Sequence, residues 1–268
     1  MIKAAVLGSP INHSLSPLLH NAAYDFLGIP GKYEAIDLTP ENARSFFIAA
    51  LKEDWIGFSL TMPLKETVVD VGADLGFDID PIALRMRSAN TLFRNGNTFA
   101  ALSTDRTAFV HLLADIKKEK VAIIGGGGTA RAALCALDGV ATSIDFLLRS
   151  QNRRDLLSSL GLKSRLNFHA MDYSLEGYDL VIATVPVGAS DLIAHTLECT
   201  VPTFFEVLYK PYPTPLLARA RALGSRTIDG MDLLVEQAID QIALFTGALF
   251  NREELRTHLL KVGRSHLD

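Results

Sequence analysis

Val121-Ala122-Ile123-Ile124-Gly125-Gly126-Gly127-Gly128-Thr129-Ala130-Arg131-Ala132 is the run around which the rest of the chain is arranged. Small and β-branched apolar residues run into consecutive glycines, and a helical pattern follows. Such a run predicts a buried strand entering a helix through a turn that no side chain crowds. The helix's unpaired N–H groups then face an anion at close range. Gly125, Gly127 and Gly128 fit a G-x-G-x-x-G/A pattern with Ala130 last. Ala130, Ala133, Leu134 and Leu137 recur at helical spacing on one face, and Gly139 suits the C-cap. The loop reads as a dinucleotide-phosphate site built from Gly125, Gly126, Gly127, Gly128, Thr129 and Ala130.

Working downstream, an α/β run begins at Lys120. Strands are expected at Ser143 to Leu148, Arg165 to Ala170, Tyr178 to Ala183 and Thr203 to Leu208. Helices are expected from Asp155 to Leu160, stopping at Gly161, and from Leu216 to Leu223. In an NAD site the second strand ends on an acidic residue that bonds the ribose 2′-OH. Here that place holds Arg149, with Arg153 and Arg154 close behind. A guanidinium suits a 2′-phosphate, which it can bind as a fork, so NADP is the cofactor expected.

Upstream, Ile2 to Leu7, Lys32 to Asp37 and Ile56 to Leu60 read as strands. Between them lie helices that open at Ser16-Pro17 and Thr39-Pro40, each read as an N-cap with proline at N1. Strand, helix, strand, helix, strand predicts a parallel sheet with crossovers. Asn95-Gly96 signals a hairpin between Asn90 to Phe93 and Thr98 to Leu102, and a helix opens at Ser103-Thr104-Asp105. Met231, Leu234, Val235, Ala238, Ile242 and Phe245 line one face of a long helix. The fold class expected is α/β with a substrate domain over 1–103 and a Rossmann-type NADP domain over 104–229. Helices in 230–268 return to the first domain, and the active site lies in the cleft between the two.

With 268 residues and 49% of them apolar, the chain can bury two cores. A net charge of −4 offers no general attraction for nucleic acid. No apolar run reaches membrane-spanning length. Cys135 and Cys199 have neither metal-ligand nor disulfide-framework spacing, which fits a reducing cytoplasm, and no metal is expected. A homodimer is compatible with the chain.

Lys65, in Thr61-Met62-Pro63-Leu64-Lys65 beyond the third strand, could move a proton, and Asp105 could pair with it. Ser14, Ser16, Thr61, Asn90 and Gln237 are polar residues near the ends of expected elements. Several segments together resemble the shikimate dehydrogenase family. They are Gly8 to Pro17, Thr61 to Lys65, Ser88-Ala89-Asn90-Thr91-Leu92, Thr104-Asp105, the glycine loop, Tyr209 to Leu216 and Gly230 to Ala238. They follow the family's order and span nearly the whole chain.

The resemblance implies NADP-linked reduction of 3-dehydroshikimate to shikimate, on the route to chorismate and the aromatic amino acids. By position it implies Lys65 and Asp105 as the catalytic pair. Ser14 and Ser16 match groups on the substrate carboxylate, and Thr61, Asn90 and Gln237 match groups on the ring hydroxyls. Tyr209 takes the substrate-side tyrosine position, and Thr184 and Gly230 complete the cofactor set. The family usually has asparagine where Ser59 and Ser103 stand, and glycine at Arg106 and Ala108. It usually carries Asn-Ala-Thr-Ser in place of Ala183-Thr184-Val185-Pro186. The rival readings are an NAD-preferring quinate/shikimate dehydrogenase and a non-catalytic NADP-binding regulator on the same fold.

Overall fold

Two sheets organise the chain, each in its own unit. The computed structural model describes residues 1–160 and 163–267. One unit comprises Met1–Thr107 and Leu234–His266, and the other Ala108–Leu233. The joints fall inside two continuous helices, about one turn beyond the expected positions near Ser103 and Gly230.

The first unit opens with β1 (Ile2–Gly8), α1 (Ser16–Leu27), β2 (Gly31–Asp37), α2 (Pro40–Ala50) and β3 (Gly57–Leu60). It continues with α3 (Leu64–Asp74), β4 (Asp78–Ile79), α4 (Pro81–Met86), β5 (Thr91–Asn95) and β6 (Thr98–Leu102). The sheet order is β2-β1-β3-β5-β6-β4. β1 pairs in parallel with β2 and β3, while β5 runs antiparallel to β3 and β6. Alternate strand residues Ala5, Leu7, Phe58, Leu60, Leu92, Phe99 and Ala101 join Phe47 of α2 and Val68 of α3 in one core. Trp55 belongs to this core too, with its ring 5.0 Å from that of Phe58, so its role is packing.

α5 (Thr104–Leu112) leads into the second unit, with β7 (Lys120–Ile124), α6 (Gly128–Leu137), β8 (Ser143–Leu147) and α7 (Arg154–Ser158). Then come β9 (Arg165–His169), β10 (Leu180–Ala183), α8 (Asp191–Thr196), β11 (Thr203–Glu206), α9 (Pro215–Ala222) and β12 (Arg226–Ile228). The order β12-β11-β10-β7-β8-β9 is wholly parallel. It is the doubly wound dinucleotide-binding order, whose direction reverses between β7 and β10. α10 (Gly230–Thr246) and α11 (Arg252–Arg264) follow, and α11 packs on α1 within the first unit.

Several local expectations change. Ser16 is the first helical residue, not the N-cap; Leu15 holds that place and Pro17 follows. Thr39 does stand at the N-cap of α2, ahead of Pro40. α3 starts at Leu64, so Lys65 sits in a helical first turn. Asn95 pairs with Thr98, which moves the hairpin turn one residue to Gly96-Asn97, with Gly96 at φ +59°. β12 and α8 carry too little pattern to be read in advance. Phe26 of α1 is exposed and stacks on His258 at 4.5 Å. The expected stop at Gly161 lies outside the described residues.

Candidate active site

The antiparallel β5 explains how the first unit gathers its polar residues. Its start lies beside the ends of β3 and β6 rather than at the far edge of the sheet. Asn90 precedes β5, and the Leu60 amide donates to its carbonyl at 2.7 Å. Its own N–H donates to Leu102 O at 3.1 Å. Lys65 follows β3, and its carbonyl accepts from Ala89 N–H at 2.9 Å. Asp105 follows β6 in the first turn of α5. Lys65 Nζ donates to Asp105 Oδ2 at 2.5 Å, with only 19% and 9% of the two side chains exposed. The Asn90 amide donates to Asp105 Oδ1 at 3.0 Å and lies 3.3 Å from Gln237 Oε1. Lys65, Asp105, Asn90 and Gln237 are thus one cluster.

The turns around it are stitched together. Ser9 N–H donates to Met62 O at 3.1 Å, joining the segment after β1 to the segment after β3. A Cβ on Gly8 would lie 2.4 Å from Thr61 Cγ2, so only glycine allows that approach. Ser14 Oγ accepts from Ser16 N–H at 3.3 Å, the first amide of α1. Ser16 is not the capping residue, and no side-chain cap bond closes the start of α1. Thr61 is half-buried and Ser16 buried.

Behind the cluster lies a polar layer whose members come from distant parts of the chain. Ser59 and Thr91 face each other across β3 and β5. Gln241 of α10 spans them: its Oε1 accepts from Ser59 Oγ at 2.7 Å, and its Nε2 donates to Thr91 Oγ1 at 3.0 Å. Tyr33 Oη donates to Ser59 Oγ at 2.6 Å, and His20 Nε2 lies 3.2 Å from Gln241 Oε1. Gln241, His20 and Thr91 have no exposed surface. Burial lowers the His20 pKa to about 3, against the opposing effect of the Gln241 bond, so the ring is neutral. A signal was present: Gln241 falls on the apolar face of its helix, where an uncharged polar side chain needs a partner.

In the second unit the glycine turn leaves β7 at the switch point. Gly125 has φ +107°, and a Cβ there would stand 2.7 Å from Thr184 Oγ1 beyond β10. Thr184 in turn donates its hydroxyl to Ile124 O at 2.8 Å. A Cβ on Gly127 would meet nothing within 4 Å, and Gly127 caps α6 without a side-chain bond to its first amides. That open turn over an uncapped helix start fits a pyrophosphate. Arg149 is exposed just past β8. Arg131, wholly buried, reaches back to Gly126 O at 3.4 Å and braces the turn. Gly230 is held by packing: a Cβ would lie 2.3 Å from Val207 O. Tyr209 stands half-buried in the loop after β11, and Tyr212 donates to Asp229 Oδ2 at 3.2 Å.

On β11 itself, Glu206 has no exposed surface, and burial raises its pKa to about 7. Thr214 Oγ1 donates to its Oε2 at 3.3 Å and caps α9 by accepting from Leu217 N–H. Among the described residues no cluster of three or more His, Cys, Asp or Glu could hold a metal. Nor is any helix long and apolar enough to cross a membrane.

Comparison with known proteins accords with this geometry. The family model described as the shikimate dehydrogenase substrate binding domain matches residues 6–92. A shikimate dehydrogenase (NADP(+)) from an Exiguobacterium species is 32% identical over 254 residues, covering 91% of this chain and 92% of the relative. The crystal structure of Mycobacterium tuberculosis shikimate dehydrogenase superimposes with a TM-score of 0.86 at 31% identity, over 100% of both chains. Shikimate 5-dehydrogenase from Thermus thermophilus, solved with NADP(H) and shikimate, gives a TM-score of 0.81 at 26% identity over 98% of this chain and 100% of the other.

Proposed function

The chain belongs to the shikimate dehydrogenase family, and from that premise we propose how its own residues carry the reaction. It is an NADP-dependent oxidoreductase that interconverts 3-dehydroshikimate and shikimate, a step of aromatic amino acid biosynthesis. NADPH, when bound, supplies the hydride. Lys65 gives its proton to the C3 oxygen as the carbonyl is reduced, and in oxidation it takes that proton back. Asp105 orients the ammonium through Oδ2 while Asn90 anchors Oδ1, so the carboxylate cannot swing away. Ser14 and Ser16 receive the substrate carboxylate. Thr61, Asn90 and Gln237 bond the ring hydroxyls, and Tyr209 is the substrate-side tyrosine. A site built from directed polar groups rejects analogues that leave them unpaired. For the cofactor, Gly125 to Ala130 hold the pyrophosphate, Arg149 the 2′-phosphate, and Thr184 and Gly230 border the nicotinamide end.

The observation that carries this reading is the 2.5 Å bond from Lys65 to Asp105 at the meeting of three strand ends. Steady-state oxidation of shikimate and quinate, with NADP and with NAD, tests it. Lys65→Ala is expected to lose roughly 10²–10⁴ in kcat with a modest change in KM. An unchanged kcat removes Lys65 from the chemistry. NADPH binding by wild type without shikimate oxidation would favour a regulator instead. The two cysteines, not joined to each other, suit the cytoplasm, and sedimentation of the full chain would establish whether it is a homodimer.

A further inference from the structure

We propose that Gln241 is a positioning residue for the Lys65–Asp105 pair, acting through Thr91 and Asn90 without touching substrate. This rests on reading Lys65 and Asp105 as the proton-transferring pair. A carboxamide oxygen only accepts and its nitrogen only donates. Gln241 Oε1 sits between Ser59 Oγ and His20 Nε2, and Gln241 Nε2 faces Thr91 Oγ1. Turning the amide over would place N–H against His20 and force the ring proton onto Nδ1. Among the described residues that atom has no hydrogen-bond partner. A buried N–H without an acceptor is costly, so His20 holds the amide in one orientation.

The rest of the chain of bonds runs toward Asn90. Thr91, receiving a hydrogen from Gln241, has Asn90 Oδ1 at 3.0 Å and Thr104 Oγ1 at 3.1 Å as acceptors for its own, and the Thr104 hydroxyl in turn lies 3.2 Å from Asn90 Oδ1. Thr104 N–H donates to the same oxygen at 2.7 Å. With two donors on its oxygen, the Asn90 amide must present its nitrogen to Asp105 Oδ1 at 3.0 Å. An inverted Asn90 would set a carbonyl oxygen against the carboxylate and push it from Lys65. Every bond in the series is buried, where hydrogen bonds polarise one another and an unpaired group is most costly.

The test uses the full chain and shikimate oxidation with NADP, with kcat counted per NADPH-binding site. Gln241→Met and Thr91→Val are each expected to lower kcat roughly ten- to a hundredfold, since a misplaced catalytic group costs that much. KM for shikimate should rise by no more than a few fold. Thr91→Ser, which restores the hydroxyl, should recover kcat to within about threefold of wild type. The Gln241→Met/Thr91→Val double variant should be no slower than the slower single, because both break one series of bonds. If Gln241→Met does not fold, the Thr91→Val and Thr91→Ser pair decides alone. Wild-type kcat in Thr91→Val and Gln241→Met, with Lys65→Ala inactive, overturns the positioning role and spares the catalytic pair. Additive losses in the double variant overturn it too. An active Lys65→Ala ends the pair, and the positioning role with it.

Discussion

At the scale of single residues, Arg149 is the proposed determinant of cofactor choice. It lies exposed just past β8, where an acidic side chain would repel a 2′-phosphate. One charge-assisted bond is worth roughly 1.5–3 kcal/mol, so Arg149→Ala should narrow the NADP-over-NAD ratio of kcat/KM by about one to two decades. Paired kinetics with the two cofactors check this, and an unchanged ratio would move the specificity to Arg153 or Arg154. Lys65, Asp105, Asn90 and Gln237 were legible because each stands in a stretch with a recognisable order. The bonds that Gln241 makes to Thr91 and Ser59 were not, because a bond between residues 150 apart leaves no local spacing to read. His20 is a further case. Its neighbours in sequence are ordinary helix, and only the fold shows a neutral ring stacked 3.9 Å from Tyr33.

At the scale of elements, the most informative is β11 with the loop that leaves it. Glu206 ties the strand end to the cap of α9. Its pKa is raised from the ordinary 4.5 to about 7 by burial. The folded chain therefore holds a proton there that the unfolded chain has already lost. Stability from this group is full below pH 4.5 and falls away as pH rises to about 7. Glu206→Gln keeps an acceptor for Leu208 N–H and a polar group for Thr214. It should match wild type near pH 4.5 and exceed it above pH 7 by up to about 3 kcal/mol. Melting curves across that range test the sign, and a variant less stable at pH 8 refutes it. Long elements with a clear period, such as α10 and β7, were legible to within a residue or two. Short ones were not: β4 and β12 exist because a neighbouring strand offers free edge groups, not because their own residues demand extension.

At the scale of the whole molecule, the doubly wound order of the second unit could be expected from one glycine turn and the run of strands after it. The mixed sheet of the first unit could not. The reversal of β5 depends on a hairpin and a crossover whose direction sequence does not encode. The first unit is also discontinuous, completed by Leu234–His266 after the second has intervened. A chain stopped after Leu233 should keep NADPH affinity, since Ala108–Leu233 retains the glycine turn and Arg149. Its β3 and β5 amides should exchange rapidly with solvent deuterium, while those of β7 and β10 remain protected. Equal protection in both sheets would show that α10 is dispensable to the first.

That discontinuity bears on how the protein is made. A ribosome delivers β1 to β6 early, yet the helix bearing Gln237 and Gln241 emerges only after all of Ala108–Leu233 has been translated. Through that interval Ser59 and Thr91 have no amide to span them, and the nascent sheet lacks the helix that completes it. Translation speed through Ala108–Leu233 thus sets how long the half-built sheet stays open to aggregation.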